Sequence, residues 1–109
     1  MRPWMVAGNW KMHKTIDEAI DLARAIREGT AGIQGGEIVV APVFTVLASV
    51  YGVIKGSHVK LAAQNIYYEE KGAYTGEVAP GLVRDAGCEY VIIGHSERRK
   101  YFGETDATV

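Results

Sequence analysis

Trp4-Met5-Val6-Ala7-Gly8 is a continuous apolar run that breaks at its carboxyl end into Asn9-Trp10-Lys11. Residues 4–8 are too few for a helix, so the run reads as a buried strand. Thr15-Ile16-Asp17-Glu18 follows, and a threonine with a glutamate three positions on is the capping-box pattern of a helix start. Ile16, Ala19, Ile20, Ala23 and Ile26 then recur at helical spacing, with Asp17, Asp21, Arg24 and Arg27 off that stripe. Gly29 and the loose GTAGIQGG stretch end the helix. One strand and one helix are thereby set in order.

The same alternation continues down the chain. Residues 37–41 (EIVVA) read as a second buried strand, stopped by Pro42. Residues 45–54 (TVLASVYGVI) carry β-branched side chains that favour a strand, but their place between strands favours a helix. We read a helix capped by Thr45 and ended by Lys55-Gly56. Residues 58–63 (HVKLAA) form a third strand. Residues 64–78 have no clear period and hold Gly72, Gly76 and three tyrosines, and a loop of that length is usually functional. Pro80 suits a first helical turn, with Leu82, Val83 and Ala86 as its apolar face before Gly87. Residues 89–93 (EYVII) form a fourth strand, and Thr105-Asp106 opens a further helix. Strands buried on both faces and separated by helices imply a parallel sheet with right-handed crossovers. Two α/β architectures fit, an open doubly wound sheet or part of a (β/α)8 barrel.

Composition narrows the function classes. The 109 residues match one domain of ordinary size, able to bury roughly 60–70% of the unfolded surface without a disulfide or metal. A net charge of −1 argues against nucleic acid or a polybasic membrane surface as a partner. No apolar run approaches the ~20 residues of a membrane span, and residues 3–8 are too short for a signal-peptide core. The single cysteine, Cys88, excludes an internal disulfide and fits a reducing cytoplasm. Cys88 follows Gly87 at the entry to a strand and reads as a small buried thiol. There is no metal-ligand spacing, no phosphate-binding glycine loop after a strand and no nucleophile elbow.

In either architecture ligands gather at the carboxyl ends of the strands. Those ends here are Gly8-Asn9-Trp10-Lys11, Gln64-Asn65 and Gly94-His95-Ser96-Glu97-Arg98-Arg99. A lysine, amides and a histidine on one rim suit an oxygen-rich anionic small molecule, with histidine exchanging a proton near neutral pH. Each residue also has a plainer role: a solvated lysine, turn-capping asparagines, and ion pairs among Glu97, Arg98 and Arg99. Their shared end of the sheet favours the site. His13 and His58 have no convergent partner and read as structural or solvated, and Trp10 as packing.

The wording of these segments resembles triosephosphate isomerase. The resemblance rests on GNWKM (8–12), AP (41–42), AQN (63–65), GAYTGE (72–77), YVIIGHSERR (90–99) and FGETD (102–106). It covers the whole chain in order; His13 departs from the family's usual asparagine. The resemblance implies a homodimeric, cytoplasmic (β/α)8 barrel of glycolysis and gluconeogenesis. Its reaction, without cofactor or metal, interconverts dihydroxyacetone phosphate and glyceraldehyde 3-phosphate through an enediolate. Lys11 corresponds to the lysine that stabilises the anion and its phosphate, and Asn9 to the substrate-orienting amide. His95 corresponds to the electrophile, established in this family as a neutral imidazole whose pKa a helix N-terminus lowers. Ser96 supports the turn beneath that ring, and Glu97 stands beside the lysine. Asn65, Tyr74, Thr75 and Gly76 belong to the loop region that meets a second subunit.

A full barrel takes about 250 residues, so residues 1–109 are expected to be an N-terminal half-barrel of four strands. The family's catalytic glutamate, lid and main phosphate site are expected in the other half. Glu69, Glu70 and Glu77 sit in the interface loop and are not promoted to that base. The expected partners are triose phosphate, a complementing C-terminal half-barrel, and a second copy. The alternatives are an inert half-barrel that self-associates through its sheet edges, or a complete small α/β binding module.

Overall fold

The computed structural model describes residues 4–66, 71–73 and 75–92. The order is β1 (Trp4–Asn9), α1 (Ile16–Gly29), β2 (Gly36–Ala41), a 3-10 turn (Phe44–Val46), α2 (Leu47–Ile54), β3 (Val59–Ala63), α3 (Pro80–Asp85) and β4 (Tyr90–Val91). The strands lie side by side in the order β1-β2-β3-β4, and every pairing is parallel. Parallel neighbours require crossovers, which α1, α2 and α3 supply. All the carboxyl ends therefore share one rim.

The local signals explain where the helices begin. Thr15 and Glu18 form the reciprocal capping box: the Thr15 hydroxyl accepts from the Glu18 N–H, and the Glu18 carboxylate accepts from the Thr15 N–H. Pro80 occupies the first turn of α3, where its missing N–H costs nothing. The cap expected at Thr45 is corrected. Residues 44–46 wind as a 3-10 turn, and α2 starts behind Val46 with no side-chain cap. The tighter turn satisfies the Val46 N–H from the Val43 carbonyl instead. After α3, Gly87 takes φ +108, and a Cβ there would lie 2.3 Å from the Tyr51 ring. Only glycine fits both that backbone and that approach.

Register divides the sheet into two faces. Ile38, Val40, Val59, Leu61 and Ala63 point toward the helices and pack with Ala19 and Ala23 of α1, with Val50 and Ile54 of α2, and with Val83 and Cys88. The opposite face carries a smaller cluster of Val39, Ala41 and Ala62, with Tyr90 and Ile92 against it. On that face the Tyr90 hydroxyl donates to the Glu37 carboxylate, a tie that passes from β4 across β3 to β2.

Three expectations of burial are corrected. β1 is exposed along its whole length, with Met5 at 50% and Val6 at 59%. It pairs only with β2 among the described residues, while α1 packs on α2 and the 3-10 turn. An apolar strand is buried only where elements on its edges and faces cover it. Ile16 and Leu82, placed on the apolar stripes of α1 and α3, are likewise exposed. Among the described residues the fourth strand shows ladder pairing at Tyr90 and Val91, not at Glu89, and residue 93 lies outside them. Residues 64–66, 71–73 and 75–79 carry neither helix nor strand, in line with the aperiodic sequence.

Candidate functional site

The rim is built from the end of β1 and the turn behind it. Trp10, buried, ties that turn down: its N–H donates to the Ala41 carbonyl at 3.1 Å, and its ring lies in the helix-side core. This agrees with the packing role read from the sequence. Lys11 then takes φ 54, a left-handed backbone that L side chains avoid because Cβ crowds the neighbouring carbonyl. The Asn9 Oδ1 accepts the Lys11 N–H at 2.9 Å, an Asx-type turn that stabilises the reversal. Asn9 and Lys11 are both exposed.

Gln64 joins this turn to the rest of the sheet. It follows β3, and its Nε2 donates to the Lys11 carbonyl at 2.7 Å and to the Ala41 carbonyl at 2.9 Å. The Asn9 Oδ1 lies within the same reach at 3.3 Å. The ends of β1, β2 and β3 thus meet at one primary amide. Sequence reasoning placed Gln64 on the rim but assigned it no role among the site residues. The signal was its position directly after a strand, on the face that Ala62 shares two residues earlier.

The expected convergence of Asn9 and Lys11 with the third strand end is therefore present. Asn65 is half-buried just beyond Gln64, and Thr75 and Gly76 are exposed, with Gly76 at φ +90. His95, Ser96, Glu97 and Tyr74 lie outside the described residues. His13 is exposed and, with Asn9, Trp10, Lys14, Glu18 and Leu22, lines a shallow cleft of about 400 Å³ beside the rim. His58 sits apart, its Nε2 2.6 Å from the Thr30 hydroxyl, which also donates to the Ile26 carbonyl. With the hydroxyl proton so used, the imidazole Nε2–H is the donor to Thr30. That is a structural contact.

Titration separates the remaining groups from the rim. Burial pushes the Cys88 thiol up to about 11, so it stays neutral and unreactive near pH 7. The hydrogen bond to Glu37 raises the Tyr90 phenol, and burial and the nearby carboxylates add to this. The Thr15 N–H, then its hydroxyl, hold the Glu18 carboxyl below its ordinary value. Among the described residues no group of His, Cys, Asp and Glu side chains is placed to hold a metal ion. No helix among them is long and apolar enough to cross a membrane.

Four parallel strands in the order β1-β2-β3-β4 with helical crossovers, superposable on part of a barrel enzyme, place the chain in the barrel class of α/β proteins, here as a half-barrel with an amide- and lysine-bearing rim. The sequence pattern of the family described as triosephosphate isomerase matches residues 4–109. The chain belongs to the triosephosphate isomerase family. The triosephosphate isomerase of Endomicrobium trichonymphae is 53% identical over 109 residues, which are all of this chain and 44% of that protein. That of Pelobacter propionicus is 57% identical, over all of this chain and 43% of the relative. The crystal structure of triosephosphate isomerase from Bartonella henselae superposes with a TM-score of 0.90 at 36% identity, covering 99% of this chain and 44% of that one. The chain thus spans a little under half the length of the relatives it matches.

Proposed function

We propose that residues 1–109 are the amino-terminal half of a triosephosphate isomerase barrel and contribute part of its active site. The complete barrel interconverts dihydroxyacetone phosphate and glyceraldehyde 3-phosphate through an enediolate, in the cytoplasm, as a step of glycolysis and gluconeogenesis. The observation that carries this reading is the rim itself: Asn9, Lys11 and Gln64 brought together at the carboxyl ends of three strands in a chain of this family.

In this reading the Lys11 ammonium lies against the substrate phosphate and the enediolate, where a fixed positive charge favours the anion over the neutral carbonyl. Asn9 orients the substrate oxygens. His95 acts as a neutral electrophile that donates to the carbonyl oxygen and passes the proton between the two oxygens. Ser96 supports the turn that carries His95, and Glu97 holds the Lys11 charge in place. The base that takes the α-proton, the lid and the main phosphate site belong to the other half. Asn65, Tyr74, Thr75 and Gly76 meet a second subunit, and the carboxyl-terminal half covers the bare edge and faces of β1. No cofactor or metal is required. The inert self-associating half-barrel is the weaker reading, because the whole chain matches one continuous stretch of an enzyme family.

The test is complementation. Mixing this chain with the remaining portion of the Pelobacter propionicus relative is expected to yield isomerase activity. Lys11→Ala is expected to lower it by at least about 100-fold, the scale of losing one transition-state contact of this kind. A folded, stoichiometric complex without activity would overturn the proposal.

A further inference from the structure

Alternation along β2 puts Glu37 on the same face as Val39 and Ala41, where a half-buried carboxylate costs free energy unless it is paired. Its partner is the half-buried Tyr90 hydroxyl, which donates to it from β4. Adjacent strands lie ~4.8 Å apart, so β2 and β4, with β3 between them, are about 10 Å apart. Two long side chains reaching toward each other close that gap. Backbone bonds attach β4 to β3: the Glu89 N–H donates to the Leu61 carbonyl at 2.9 Å, and the Ile92 N–H to the Ala63 carbonyl at 2.8 Å. The phenol adds a hold on the strand beyond. On its other edge β2 pairs with β1 residue for residue, from Trp4 to Asn9, and the Ala41 carbonyl accepts the Trp10 backbone N–H at 3.1 Å.

We propose that Tyr90 and Glu37 are positioning residues whose hydrogen bond ties β4, and with it the segment that carries His95, to β2. The strand β2 is then the common support of the rim. The strand that ends in Asn9 and Lys11 is bonded to its edge, and the strand that leads to His95 is tied to it over β3. The advantage is alignment, because a misplacement of about 1 Å between groups acting on one substrate can cost about 100-fold in rate. A bond from a neutral phenol to a carboxylate suits the task, being roughly twice as strong as one between neutral groups. The ionisable groups around the phenol are Glu37 of β2, Lys60 of β3 and Glu89 beside β4, and β1 carries none. Lys60 and Glu89 pair with each other at 3.5 Å, which leaves Glu37 to the phenol. The kinetic side of the inference rests on the role proposed above for His95; the tie itself does not.

The test uses Tyr90→Phe, which keeps the ring and removes the donor, and Glu37→Gln, which keeps an acceptor and removes the charge. In this chain, Tyr90→Phe is expected to speed hydrogen exchange at the Glu89 and Ile92 amides about fivefold relative to those of α1, the scale of one net hydrogen bond. The Tyr90 phenol, followed by carbon NMR, is expected to titrate lower in Glu37→Gln than in the native chain, since the bond to Glu37 is what chiefly raises it. In the complemented barrel, rates are referred to folded complex counted by native mass. Tyr90→Phe is expected to lower kcat about tenfold with KM within about twofold, because the tie acts through His95 and not through the phosphate site. Glu37→Gln is expected to lose less, and the double variant no more than Tyr90→Phe alone. The native barrel is further expected to lose kcat as the pH rises through the raised Tyr90 pKa, where a phenolate faces the carboxylate, on a limb that Tyr90→Phe lacks. Native kcat in folded Tyr90→Phe, additive losses in the double variant, or unchanged exchange at Glu89 and Ile92 would overturn the proposal. Should Tyr90→Phe not fold, Glu37→Gln is read by the same exchange and rates. If the native complemented barrel is inactive, the functional reading falls, while exchange and the phenol titration still decide the tie.

Discussion

β1 and β3 are strands of one parallel sheet, similar in length and both apolar, yet they live in different environments. In β3, Leu61 and Ala63 are almost fully enclosed, with β2 and β4 on the two edges and the helix-side core beneath. In β1 every residue is exposed, although Trp4, Met5 and Val6 are at least as apolar as their counterparts. The difference is one of neighbours. β3 is held by contacts on both edges and on the helix side, whereas β1 pairs only with β2 among the described residues.

Four substitutions break or sharpen this contrast, and the largest effect falls on β3. Leu61→Ala is expected to cost about 2–5 kcal/mol of unfolding free energy in urea, the range for a large buried side chain leaving a cavity. Next is Gly87→Ala, just before β4, which meets both the positive φ and the Tyr51 ring. A loss of about 1–3 kcal/mol is expected. Adding Tyr51→Ala should recover the part due to the ring contact and leave the part due to φ.

Thr15→Ala, on the helix nearest to β1 in sequence, removes the cap of α1 and is expected to cost about 1 kcal/mol by thermal denaturation. The same cap has a pH signature. The folded carboxyl of Glu18 titrates below its unfolded value. Its contribution is therefore full above the unfolded pKa and is lost as the pH falls through the folded one. Glu18→Gln keeps a box-forming side chain and should flatten that acid limb.

The smallest effect is expected on β1. Val6→Thr should change the stability of this chain by no more than about 0.5 kcal/mol, as for other exposed positions. In the complemented barrel the same substitution should cost clearly more, because Val6 is then covered. Equal costs in the two states would break the contrast.

Legibility followed the range of the interaction. The Thr15–Glu18 box and the Pro80 start involve partners within a few residues, so composition and spacing revealed them. The ends of β1 and β3 were placed on one rim because parallel order follows from the alternation of strands and helices. The α2 boundary was misplaced because Thr45 is a good cap by type, and only backbone geometry shows a 3-10 turn taking that position. The helix stripe of α1 was read correctly at Ala19 and Ala23 but too widely at Ile16, which no neighbour covers.

The sequence by itself determined the class of fold, the order of its units and the identity of the rim residues Asn9 and Lys11, since these follow from local periodicity, capping and strand termination. Tertiary structure alone decided that β1 is bare, that Lys11 turns left-handed and that Gln64 holds it there. Burial and long-range hydrogen bonds depend on which surfaces meet, and residues 53 apart acquire that relation only when the sheet has assembled.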